Sequence, residues 1–247
     1  MSKAENNHLH LISPILSASK LIKFCYFIMA FLFVACGNSN SEKKATETQT
    51  EQQEATSEVT ETTTKTILCF GDSITAGYGL DDKEDAYPGI LQQKIDSLDL
   101  NYTVVNSGVS GETTAGGKSR IDWILNQNID IFILELGAND GLRGVNLVET
   151  TINLQAIIDA VKAKSPETTI ILAGMQLPPN MGLDYTRDFK QIFMNLAEKN
   201  NLEFIPFILE DVGGIAELNQ SDGIHPTEEG HKIVANTVWE TLKPLVK

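Results

Sequence analysis

Cysteine is scarce in this 247-residue chain: there are three, Cys25, Cys36 and Cys69. Two lie within the first 36 residues and the third stands alone in an apolar run. The remainder can therefore build neither a disulfide framework nor a cysteine-based metal site. Histidine is nearly as rare, and beyond residue 65 only His225 and His231 occur. Positive charge is in deficit. Nineteen Lys and Arg against 33 Asp and Glu give a formal charge of −14, which argues against nucleic acid and other polyanions as partners. No apolar stretch reaches the ~20 residues that a membrane-spanning helix needs. No internal repeat is visible.

What is present divides the chain into three parts. In residues 1–36, Lys20 and Lys23 precede the apolar run from Phe24 to Ala35, which ends at Cys36. Its length suits the core of an export signal. The small Ala35 directly before Cys36 resembles a bacterial lipobox, with Phe33 where leucine is more usual. Lipidation of Cys36 is expected, giving an exported, membrane-anchored protein, periplasmic or on the cell surface. Residues 37–65 are dominated by Ser, Thr, Glu, Gln and Asn, with Val59 the one sizeable apolar residue. Such a segment buries too little apolar surface to offset its ordering entropy, and a disordered polar tether is expected. Residues 66–247 have the length and composition of one domain with a sizeable core.

Within that domain strands and helices alternate. Residues 66–70, 102–106, 131–136, 169–173 and 203–207 read as strands, and Ile131-Phe132-Ile133-Leu134 is the continuous apolar run of a strand covered on both faces. Leu91, Ile95 and Leu98 make one helical stripe behind Pro88. Leu154, Ile157, Ile158 and Val161 make another, closed by Pro166. Tyr185, Phe189, Ile192, Phe193 and Leu196 make a third, with Asp184 as expected N-cap, and a last helix starts near Thr227. Between 113 and 127 a helix is expected to begin late, because Gly116 and Gly117 weaken its start. The β-α-β-α order implies an α/β fold: a three-layer α/β/α sandwich with a mostly parallel five-stranded sheet. Loops after successive strands then share one edge of the sheet, which gathers Ser73, Gly108 and Asn139.

Chemistry concentrates in a few short runs. Gly71-Asp72-Ser73 follows the first strand, and Asp222-Gly223-Ile224-His225 lies just before the last helix. Serine, histidine and aspartate are the groups that nucleophilic acyl transfer requires. Gly108 in Asn106–Gly111 and the run Gly137-Ala138-Asn139-Asp140 complete the set.

These four blocks, in this order, resemble those of the SGNH (GDSL) hydrolase family over nearly the whole domain. Glu135–Gly144 is similar to the branch containing thioesterase I, lysophospholipases and arylesterases, with Ala138 where that branch often has glycine. The resemblance implies a flavodoxin-like fold and a serine esterase that works without cofactor or metal. It implies Ser73 as nucleophile, His225 as general base and Asp222 as its orienting carboxylate. The oxyanion hole would combine the backbone N–H groups of Ser73 and Gly108 with the Asn139 side chain. Asp72 is expected to brace its loop, Glu135 to be a hydrogen-bonded structural carboxylate, and Asp140 to support the Asn139 loop. Arg143 and Leu142 either line the acyl site or, for Arg143, form a solvated surface charge. Leu177 and Pro178, in the run from Met175 to Gly182, are expected to form a substrate wall. His231 reads as a surface or partly packed helix residue.

The expected substrate is a small-molecule acyl or aryl ester, a lysophospholipid or a thioester. A carbohydrate O-acetylesterase using the same triad, or a binding lipoprotein without chemistry, are the alternatives.

Overall fold

The computed structural model describes residues 63–247. The expected leader, Cys36 and nearly all of the polar segment lie outside the described residues.

Five strands form one sheet: β1 Lys65–Gly71, β2 Tyr102–Gly108, β3 Ile131–Glu135, β4 Thr169–Ala173 and β5 Glu203–Ile205. Every neighbouring pair is parallel, in the order β2-β1-β3-β4-β5. Ile67 to Phe70 and Ile131 to Leu134 are buried throughout, as apolar runs sandwiched between two helical layers must be. The helices are α1 Ser73–Ala76, α2 Tyr87–Ser97, α3 Thr114–Ile124, α4 Ala138–Leu142, α5 Leu147–Lys164, α6 Leu183–Asn200 and α7 Glu228–Leu242. One layer contains α2 packed on α7, and the other contains α3, α5 and α6 in succession. The chain steps from β1 out to β2 and then back past β1 to β3. Right-handed crossovers therefore send α2 and α3 to opposite faces, and a crevice opens where the loops after β1 and β3 part. This is the flavodoxin-like sheet order.

Several expectations need correction. The helix after residue 113 does not begin late. Thr113 caps it, its hydroxyl accepting the Gly116 N–H, and the two glycines lie inside the first turn. Gly117 is there for packing, since a Cβ would press within 3.1 Å of the Phe70 ring. β5 stops at Ile205 rather than residue 207, because Pro206 has no N–H for the ladder. Leu98 falls at the end of α2 and points to solvent. Asp184 is in the first turn of α6, not its cap; Gly182 holds that position without a side-chain bond.

Alanine ordinarily gains about 1 kcal/mol over glycine inside a helix. At Gly89 in α2, however, a Cβ would come within 2.7 Å of Glu84 Cα and 2.8 Å of its carbonyl carbon, backbone that has no rotamer to adopt. Gly89→Ala is therefore expected to destabilise the domain by about 1–3 kcal/mol in urea unfolding. An unchanged or raised midpoint would show that the turn before α2 yields freely.

Candidate active site

Ser73 is the first residue of α1, directly beyond the carboxyl end of β1. Asp72 caps that short helix by accepting the Ile74 N–H at 3.1 Å. As a first-turn residue, Ser73 has a backbone N–H with no intrahelical acceptor. Its hydroxyl lies 2.9 Å from His225 Nε2, and His225 Nδ1 lies 2.7 Å from Asp222 Oδ2. An ionised carboxylate only accepts, so Nδ1 carries the ring hydrogen and Nε2 is left to accept from Ser73. Burial works to raise the Asp222 carboxyl, but the Ile224 N–H, the imidazole and the His225 N–H outweigh it and hold it down to about 2. The three predicted residues are thus brought together.

Beneath Ser73 lies a buried polar layer. Glu135, at the end of β3, uses Oε2 to accept the Asp72 N–H at 3.2 Å and the Thr75 hydroxyl at 2.7 Å. Thr75 in turn meets the Tyr87 hydroxyl at 3.0 Å. Burial pushes Glu135 well above the usual carboxylate range, and the neighbouring Asp72 charge adds to the shift. Burial also raises Asp72, to about 6. Both carboxylates therefore brace the turn that carries Ser73, as expected of Asp72 and Glu135.

Gly108 ends β2. A side chain there would strike the backbone of α1, with a Cβ at 2.7 Å from Ala76 Cα. Its N–H donates to Asn106 Oδ1 at 3.0 Å, while Asn106 Nδ2 donates to the Thr75 carbonyl at 2.8 Å. That N–H therefore already has a partner in the Asn106 side chain. Arg120 fixes the same loop from below: it donates to the Ser107 carbonyl and hydroxyl, pairs with Glu112 and lies over the Phe70 ring. Neither Asn106 nor Arg120 stood out in the sequence, because the Asn106 bond to Thr75 and the Arg120 bonds to Ser107 and Glu112 reach across elements.

Asn139 follows β3 within α4, after Gly137, whose φ of 125° suits only glycine. Its Nδ2 donates to Asp72 Oδ2 at 3.1 Å. Asp140 is buried and accepts from the Thr114 N–H and hydroxyl, which ties α3 to this loop as expected. Arg143 donates to the Gly111 carbonyl at 3.0 Å and to Asn139 Oδ1 at 3.4 Å. It stands beside Asn139 and is not among the residues lining the cleft.

Ser73, Asn139 and His225 open into a cleft of about 720 Å³. Leu142, Leu177 and Pro178 line it as expected, joined by Met175, Phe207 and Leu209, so the walls are mainly apolar. The Tyr78 ring packs against His225, with centroids 4.6 Å apart and planes tilted by 44°. Gln220 donates to the Tyr78 and Pro226 carbonyls, joining the loop after α1 to the loop that carries His225. Among the described residues, no group of three or more His, Cys, Asp and Glu is placed to hold a metal ion.

An all-parallel sheet in this order, with a serine–histidine–aspartate relay and a side-chain amide at its carboxyl edge, has the architecture of the SGNH class of hydrolases. The chain belongs to the GDSL-like lipase/acylhydrolase family, whose family model matches residues 69–233. It is 38% identical over 183 residues to the esterase TesA of Pseudomonas aeruginosa, a match covering 74% of this chain and 90% of that protein. It is 36% identical to thioesterase 1/protease 1/lysophospholipase L1 of Escherichia coli K12, covering 73% and 85%. The crystal structure of TesA superposes with a TM-score of 0.70 at 37% identity, over 73% of this chain and 99% of that one. AlinE4, a SGNH-hydrolase family esterase, superposes at 0.61 with 40% identity, over 74% and 97%. The protein is accordingly an enzyme that hydrolyses ester bonds.

His231 corrects the expectation of a surface or partly packed residue. It is buried, and its Nδ1 accepts the Tyr87 N–H at 3.3 Å. Burial, with the smaller electrostatic influence of His225 and Lys83, lowers it from 6.5 to about 4. The unfolded chain therefore takes up this proton first, and native stability falls as pH drops from about 6.5 to about 4. Asp72, raised from 3.8 to about 6, acts in the opposite sense between those values, so the two slopes partly cancel. Comparison with His231→Gln isolates the histidine. Between pH 6.5 and 4 the wild type is expected to lose up to about 3 kcal/mol relative to the variant in urea unfolding. Parallel curves would show that His231 protonates as readily inside the fold as outside it.

Proposed function

We propose that the protein is a serine esterase acting on carboxylic esters with an acyl or aryl part, through an acyl-enzyme intermediate. The observation that carries this reading is the Ser73–His225–Asp222 relay, at 2.9 and 2.7 Å, facing a mainly apolar cleft. Ser73 Oγ attacks the ester carbonyl while His225 Nε2 takes its proton. His225 then protonates the leaving alkoxide, and the same base activates water to release the acid. Asp222 holds the imidazole tautomer and stabilises the imidazolium. The negative oxygen of the tetrahedral intermediate is met by the Ser73 N–H and the Asn139 amide. The Gly108 N–H is a third donor, shared with Asn106.

Leu142, Met175, Leu177, Pro178, Phe207 and Leu209 supply the apolar wall for the acyl or aryl group. That lining favours such esters over acetylated glycans, and the relatives named esterase, arylesterase and lysophospholipase favour the same range. The deficit of basic residues speaks against polyanionic thioesters such as acyl-CoA. We also infer that the enzyme is exported and anchored through a lipidated Cys36. The apolar run ending in Ala35-Cys36 and the polar segment behind it support this.

Ser73→Ala is expected to abolish hydrolysis of p-nitrophenyl or naphthyl esters and labelling by a fluorophosphonate, with an unchanged circular dichroism spectrum. Retained turnover or labelling would remove Ser73 from its role. Asn139→Ala is expected to lower kcat about 100-fold with little change in KM. A loss confined to KM would contradict an oxyanion contact.

A further inference from the structure

We propose that Asp72 and Arg143 form a two-sided clamp on the Asn139 carboxamide, keeping its N–H rather than its carbonyl toward the reacting oxygen. Both are positioning residues, and the proposal rests on the esterase reading above. A carboxamide turned by 180° keeps its shape but exchanges a donor for an acceptor. For an oxyanion donor that exchange is decisive: the turned group would present a carbonyl to a developing negative charge.

Asn139 has a partner on each side that favours one orientation. Asp72 Oδ2 takes one hydrogen of Nδ2 at 3.1 Å, and Arg143 Nη2 donates to Oδ1 at 3.4 Å. Turning the amide would set Oδ1 against a carboxylate and N–H against a guanidinium, so both contacts become repulsive. Asn139 and Arg143 are four residues apart, which places them one turn apart at the end of α4. Asp72 takes one of the two hydrogens on Nδ2. The other remains for the cleft, which Asn139 lines.

The clamp is itself held. Asp72 is fully buried, its Oδ1 accepts the Ile74 N–H, and its own N–H goes to Glu135 Oε2. Arg143 is tied to the Gly111 carbonyl at 3.0 Å. The two buried carboxyls divide their roles: Glu135 Oε2 accepts the Asp72 N–H and the Thr75 hydroxyl, while Oε1 is buried without a partner. Burial favours the neutral form at Glu135, and it is the Asp72 carboxyl that meets the Asn139 amide. A charged acceptor binds the amide more firmly than a neutral one.

The test is a double-mutant cycle on the full enzyme with a p-nitrophenyl ester. Asp72→Asn keeps the size and the Ile74 acceptor but sets a donor against Asn139 Nδ2. It is expected to lower kcat at least tenfold with KM within about threefold. In an Asn139→Ala background the same change is expected to cost less than about threefold, because nothing is left to orient. Arg143→Met is expected to show the same pattern with a smaller drop, and its exposed position keeps the test available if Asp72→Asn does not fold. Equal losses with and without Asn139, or an unchanged kcat in either single variant, would overturn the clamp. A wild type with no Ser73-dependent turnover would overturn the esterase reading and the clamp with it. A wild type that turns over while Asp72→Asn and Arg143→Met do likewise overturns the clamp alone.

Discussion

Ser73 Oγ and His225 Nε2 are 152 positions apart in sequence and 2.9 Å apart in space. A hydrogen bond of this kind contributes about 1 kcal/mol net, far less than the entropy of ordering the two loops that make it. The contact is therefore imposed by the scaffold. β1 fixes where Ser73 emerges, and α7, packed on α2, fixes where the last loop must end. The Gln220 N–H is held by the His225 carbonyl at 2.7 Å and the Thr227 N–H by the Leu218 carbonyl. Gln220 Nε2 then reaches the Tyr78 carbonyl, so the loop is stitched both to itself and to the turn after Ser73.

The floor of the site follows from the same parallel register. Gly71 is paired with Gly108 on one side and Glu135 on the other, so the ends of three strands arrive level. Polar groups buried there must find partners or lose their charge. Burial pushes the Cys69 thiol up to about 12 and raises the Tyr87 hydroxyl well above its ordinary value, so neither ionises near neutral pH. Burial and the neighbouring Asp72 charge likewise push Glu135 well above the usual carboxylate range, and the Asp72 carboxyl accepts from the Ile74 N–H and from Asn139. The buried layer thus fixes the turn that carries Ser73, and burial opposes massed negative charge beneath it.

What was legible in the sequence followed the strength of local signals. Apolar runs covered on both faces announced β1, β3 and β4, and the alternation of elements gave the sheet its parallel sense. The site's chemistry was legible because Ser73, Gly108, Asn139, Asp222 and His225 each sit in a short run whose residue types have few other uses together. Reading failed where a long-range contact decided the outcome. Gly116 and Gly117 looked like weak helix formers, but the Thr113 cap and the packing of Gly117 against Phe70 settled the start of α3. His231 looked like an ordinary helix position until Tyr87, 144 residues away, supplied its partner. Arg143 could equally have faced solvent or substrate, and only the fold sets it beside Asn139.

Charge acts on two length scales here, and they do not conflict. The formal −14 falls almost wholly beyond residue 65 and is screened beyond about 8 Å at physiological ionic strength. Inside the cleft the nearest groups decide instead: an N–H at the start of α1 and a side-chain amide, within walls of leucine, methionine and phenylalanine. Such donors act strongly because little water competes with them and they need no reorganisation as charge develops. A screened negative field of this kind disfavours polyanions and leaves neutral molecules unaffected. In the proposed esterase reading, the short-range donors act on the one atom whose charge changes. An acidic protein can in this way present a site suited to a negatively charged intermediate.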